Sequence, residues 1–136
     1  MATKAQIIAN LDWLTERISN RVWTISAGIV VISLAYVVEG SGSNGVAFLE
    51  PEQVSLPAAI ALLSLLFDML QYVFGTKSHT RILVRMEAED QVDAKFDTTE
   101  IYYRAQKLSF FAKIGCCITA SVWMILLIFI RVLELM

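Results

Sequence analysis

Charge is missing from two long stretches of this sequence and almost missing from a third. Residues 22–38 and 114–130 hold no Asp, Glu, Lys or Arg, and residues 56–75 hold only Asp68. A helix needs about 20 mostly apolar residues to cross a hydrocarbon core about 30 Å thick, and runs of this length and composition meet that need. Histidine is nearly absent as well. His79 stands alone, and the only cysteines, Cys116 and Cys117, lie inside the third apolar run, so a zinc site has no ligand set and no cofactor is implied. No Ser/His/Asp set, phosphate-binding loop, dinucleotide fingerprint or metalloprotease motif occurs, which argues against an enzyme. There is no excess of basic residues either: the net charge is −2, which argues against a nucleic-acid partner.

What is present is an all-α integral membrane protein in one domain. With 136 residues, 57% of them hydrophobic, the chain has no room for a separate soluble catalytic core. The expected layout is an amphipathic helix over 3–21, a first span over 22–38 and a loop over 39–54. A second span over 55–75, a helical hairpin over 76–107 and a third span over 108–133 follow. The polar residues ahead of the first span and the length of the apolar run do not match a cleaved signal peptide. Cys116 and Cys117 are neighbours on a helix, about 100° apart, where a disulfide between them would be strained, so both are expected in a helix interface.

Lys and Arg are distributed unevenly. Lys4, Arg17 and Arg21 precede the first span, and the 39–54 loop has none. Lys77, Arg81, Arg85, Lys95, Arg104, Lys107 and Lys113 lie between and beside the second and third spans, and Arg131 alone follows the third. The positive-inside rule then predicts a cytoplasmic N-terminus and an outer C-terminus in a plasma or bacterial inner membrane. Trp23 and Tyr36 fall where aromatic anchors belong, at the two ends of the first span. Trp123 lies well inside the third, where packing is the expected role.

Local signals refine the helices. Thr3 and Gln6 have capping-box spacing, and Ile7, Leu11, Leu14 and Ile18 follow as a stripe. The stretch from Gly40 to Gly45 reads as a flexible loop, and Pro57 is expected in the first turn of the second span, which ends near Gly75. A second box, Asp97 to Glu100, starts a helix carrying Ile101, Ala105, Leu108 and Ala112 into the third span. His79 reads as a solvated loop residue. The acidic run Glu87, Glu89, Asp90, Asp93 and Asp97 does not fit a calcium loop and reads as a solvated face or a docking surface for a basic partner.

Asp68 is the candidate functional residue. Counted from Gly75, it lies about 10 Å deep, and an ionised Asp at the centre of a span costs about 2.5 to 3.5 kcal/mol, so it should face protein or water. Lys113 is its candidate ion-pair partner. Asp68 belongs to the stripe Ala61, Ser64, Asp68, Gln71 and Gly75. Ser109, Ala112, Cys116 and Thr119 form a similar face on the third span, and Ser26, Ser33 and Gly40 on the first. Small and polar faces let membrane helices approach closely and hydrogen-bond. Such faces can close one bundle internally, or an oligomer can turn the second-span face to a water-filled axis.

Two functions follow as expectations. The first is a self-associating homo-oligomer, channel- or effector-like, that permeabilises the bilayer under control of its cytoplasmic helices, which would bind a protein or small ligand. The alternative is a non-conducting immunity, regulatory or assembly subunit that docks on a larger membrane protein. A small transporter protomer, with Asp68 at a coupling-ion site, is a third.

Overall fold

A computed structural model describes residues 4–40, 49–89 and 99–136. They form three long helices: α1 (Lys4–Gly40), α2 (Pro51–Glu89) and α3 (Ile101–Leu135). Among the described residues there is no strand, and each helix is long and apolar enough to cross a membrane. Thr3 of the first capping box, most of the Gly40–Gly45 loop, and Asp90, Asp93 and Asp97 of the acidic run lie outside the described residues.

α1 runs unbroken through residue 21 into the first apolar stretch, and α3 runs from Ile101 through the third, each as one helix; α2 continues past Gly75 to Glu89. Gly75 does not end a helix. A Cβ at this position would sit 3.0 Å from Gln106 Nε2, the far end of a flexible side chain on α3. His79 accordingly lies on helix α2, with Nδ1 2.8 Å from the Gly75 carbonyl oxygen, and not in a loop.

α2 also begins earlier than expected, at Pro51, which occupies the first helical position. The Gln53 side chain accepts from the Glu50 backbone N–H at 3.1 Å, which is the returning half of a capping box. Leu49 and Val54, flanking that turn, are both buried in one cluster and act as the hydrophobic staple of the helix start. Pro57 therefore sits in the second turn, inside the helix, and is fully buried. α3 starts at Ile101 with Glu100 as its N-cap, without a side-chain capping bond.

The buried positions follow a 3–4 rhythm. On α1 they are Ser19, Val22, Ser26, Ile29 and Ser33; on α3 they are Ser109, Lys113, Cys117, Ala120 and Met124. On α2 the seam runs from Val54 through Pro57, Ala61, Ser64, Asp68, Gln71 and Gly75 to Ser78. A period near 3.5 keeps one seam facing its partners along the whole length, as in coiled-coil packing. α2 packs most extensively against α3 and less against α1, and the α1–α3 interface is the smallest.

The core is layered along the axis. One end is apolar: Ile29, Leu49, Val54, Ala61, Ala120 and Met124 cluster there with Tyr36 and Leu127 against them. The other end, towards the basic residues, is filled by Ser19, Ser64, Asp68, Gln71, Ser109 and Lys113. The outer surface is the reverse, with Val31, Leu34, Leu63, Leu66, Ile125 and Phe129 all exposed. A polar interior under an apolar exterior suits a protein whose solvent is lipid, because close helix contact is then maintained by small and hydrogen-bonding side chains.

Candidate functional site: a three-helix charged cluster

One residue from each helix meets at the polar end of the core. Lys113 of α3 is 0% exposed, and its Nζ lies 2.5 Å from Asp68 Oδ1 of α2. The same ammonium donates to Ser19 Oγ of α1 at 2.6 Å, and Ser19 donates in turn to Asp68 Oδ1 at 2.6 Å. Tyr72, one turn beyond Asp68, donates to Ser19 Oγ at 3.5 Å. The Lys113 Nζ also lies 5.2 Å from the centroid of the Phe110 ring, within cation–π range. On the next layer Ser64 donates to the Lys113 backbone carbonyl at 2.8 Å, so both ends of the lysine are bound to α2.

Counted from the cluster to the opposite charged end, each helix has about the length of one membrane crossing. The helical stretches 19–39, 52–68 and 113–131 each run from a cluster residue to the charge at the opposite end of its span, and measure about 24 to 30 Å. That is close to the whole thickness of a hydrocarbon core. Arg17 and Arg21 flank Ser19 along α1, at the level of Asp68.

Every member of the second-span stripe, Ala61, Ser64, Asp68, Gln71 and Gly75, lies in the buried seam of α2. Ser26 and Ser33 are buried on α1, and neither Oγ has a hydrogen-bond partner; Gln71 Oε1, 7% exposed as a residue, also has none. Gly40 ends α1.

The third-span face is corrected by one residue beyond its first member. Ser109 is buried as expected, but Ala112 and Cys116 are only half-buried and Thr119 is exposed. Thr119 bonds to the Gly115 carbonyl of its own helix at 2.8 Å, so it needs no partner across an interface. The seam instead uses Lys113, Cys117, Ala120 and Met124. Cys117 is buried with its thiol 3.9 Å from the Val22 carbonyl, and both cysteines are free. Ile101 and Leu108 of the expected α3 stripe point away from the bundle, and Trp123, 43% exposed, faces outward rather than packing inside.

Beyond the cluster, α2 and α3 are joined a second time. The Glu100 carboxylate accepts from Ser78 at 3.4 Å and lies 3.6 Å from Arg81, and the Tyr102 ring stacks under Arg81 at 4.5 Å and Lys77 at 5.9 Å. Sequence reasoning did not single out Ser19, Tyr72 or Tyr102. For Ser19 the signal was available: Ser19, Ser26 and Ser33 repeat every seven residues.

Among the described residues no group of three His, Cys, Asp or Glu side chains is close enough to hold a metal ion. The chain matches no protein-family model, no curated protein and no solved structure. The fold and the cluster together define its class: an all-helical protein with three membrane-length helices around an interior closed by a buried ion pair.

Proposed function

We propose that this protein is a non-catalytic, non-conducting membrane subunit that acts by docking onto another membrane protein, in an immunity, regulatory or assembly role. The observation that carries this reading is that the polar face of α2 is buried inside the chain's own bundle, with its one charge paired there. Asp68, the residue suited to line a pore, is ion-paired to Lys113 and hydrogen-bonded to Ser19. What the bundle offers to its surroundings is apolar surface along the spans, and α2 and α3 clasped together by Glu100, Arg81 and Tyr102 beyond them. In the orientation the charge distribution favours, with the N-terminus cytoplasmic and the C-terminus outside, that clasp belongs to a cytoplasmic helical hairpin continued by the acidic run. A basic protein partner fits the acidic run of that hairpin.

One observation favours the pore reading. Ser26, Ser33 and Gln71 leave buried oxygens unpartnered along the seam, and water entering between separated helices would satisfy them. Leakage of ions and dye from liposomes carrying the purified protein distinguishes the two, with the oligomer counted by native mass spectrometry. The docking reading expects no leak above protein-free vesicles from wild type at any protein density. Leakage that requires a multimer and changes in Asp68→Asn overturns it and establishes the pore.

A further inference from the structure

We propose that the groove between α1 and α3 is a binding site for an anionic phospholipid, which lays an acyl chain along the groove and its phosphate on Arg17 and Arg21. The α1–α3 interface is the smallest in the bundle, and it leaves a groove of about 270 Å³ on that side. Its walls are Ile18 and Ile25 from α1 and Ile114 and Ile118 from α3, with Arg17 at the end nearer the N-terminus and Arg21 one turn further along. The surface within the groove is wholly apolar, so the two arginines line it with their aliphatic stems.

An apolar trough with two cations on the α1 wall, in its half nearer the N-terminus, is complementary to an amphiphile with an anionic head. Arg17 and Arg21 are one helical turn apart on the same face of α1, and neither forms an ion pair among the described residues. Arg17 is oriented by the Trp13 ring, 4.8 Å from its guanidinium carbon. The nearby ammonium of Lys113 is committed to Asp68 inside the core and does not compete for the phosphate. The arginines also flank Ser19, at the level of the charged cluster, and in a bilayer whose hydrocarbon core covers the uncharged run 22–38 that level is where phosphates lie. Guanidinium forks match phosphate oxygens bidentately, and basic pockets between membrane helices are recognised headgroup sites.

The test is native mass spectrometry of protein extracted from vesicles of equal dioleoyl-phosphatidylglycerol and dioleoyl-phosphatidylcholine. Wild type is expected to retain phosphatidylglycerol in preference, by about five-fold for each arginine that contributes. Arg17→Gln/Arg21→Gln is expected to abolish the preference, while Lys107→Gln, a basic residue outside the groove, keeps it. The single glutamine variants give the same reading should the double variant fail to extract as a helical protein. Ile118→Trp, which fills the groove and leaves the charges in place, is expected to lower retention of phosphatidylglycerol. Equal retention of the two lipids by wild type, or a preference unchanged in the arginine variants, overturns the proposal. Displacement of the lipid by millimolar glycerol phosphate overturns the acyl-chain half of the site.

Discussion

At the scale of single residues, the Ser19–Asp68–Lys113 cluster is a case where pairing matters more than charge. A lysine with no exposed surface is tolerated because a carboxylate and a hydroxyl from two other helices meet its ammonium. Removing one partner leaves the other charge buried and alone. Lys113→Met is therefore expected to cost about 3 kcal/mol in unfolding from mixed micelles, and Asp68→Leu a similar amount. The double variant Asp68→Leu/Lys113→Met is expected to cost much less than the sum, because two apolar side chains of similar volume replace a pair that had to be desolvated. Additive losses in this cycle would mean that the two residues act separately, and the cluster would not be a unit. Asp68 and Lys113 were both legible in the sequence as charges beside or within apolar runs. Ser19 was not singled out, because a serine among Arg17, Asn20 and Arg21 looks like ordinary polar surface until the seven-residue repeat with Ser26 and Ser33 is followed.

At the scale of elements, the helices were readable but the full reach of α2 was not. Its apolar run of 20 residues lies inside a helix of 39, because nothing in the flanking sequence breaks it, whereas α1 and α3 each join a polar start to an apolar run as a single helix. The start of α2 was encoded in Leu49, Glu50, Gln53 and Val54, a staple around a half capping box, but Pro57 drew the boundary later. The face of α3 was misplaced because small residues were sought. The position was filled by the long stem of Lys113, while Thr119 and Ser121 satisfied their hydroxyls on their own helix. Gly75 gives a test at this scale. Its Cβ would meet only the far end of the Gln106 side chain, which can swing aside, and alanine improves on glycine in a helix by about 1 kcal/mol. Gly75→Ala is expected to be neutral or stabilising in thermal unfolding, whereas Gly75→Leu forces α2 and α3 apart and costs about 1 to 3 kcal/mol. Equal tolerance of both would show that the close approach at Gln106 does not bear on stability.

At the scale of the whole molecule, the same lysines and arginines that favour one orientation also mark where the bundle is polar inside. With three helices long and apolar enough to cross a membrane, three crossings would put the two ends of the described chain on opposite faces, and one bias in charge would then decide the arrangement of the whole protein. Arg17, Arg21, Lys77, Arg81, Arg85, Arg104 and Lys107 all belong to the end that holds the Asp68–Lys113 cluster, and Arg131 alone stands at the other. Loops rich in lysine and arginine resist export, and the count strongly favours keeping the cluster end in the cytoplasm. An alkaline phosphatase domain fused after Met136 is expected to be active, and a green fluorescent domain fused there to be dark. The opposite pair of results would place the α2–α3 clasp outside and remove the cytoplasmic surface on which the docking proposal depends. Because topology responds to positive charge near the ends of spans, replacing Leu133 and Leu135 with lysine should shift part of the population towards the reverse orientation, and phosphatase activity should fall with it. A fall in activity at constant protein level identifies the charge bias as the determinant. Unchanged activity would mean that the folded bundle, with its cluster already joined across three helices, fixes the orientation before the last span can respond.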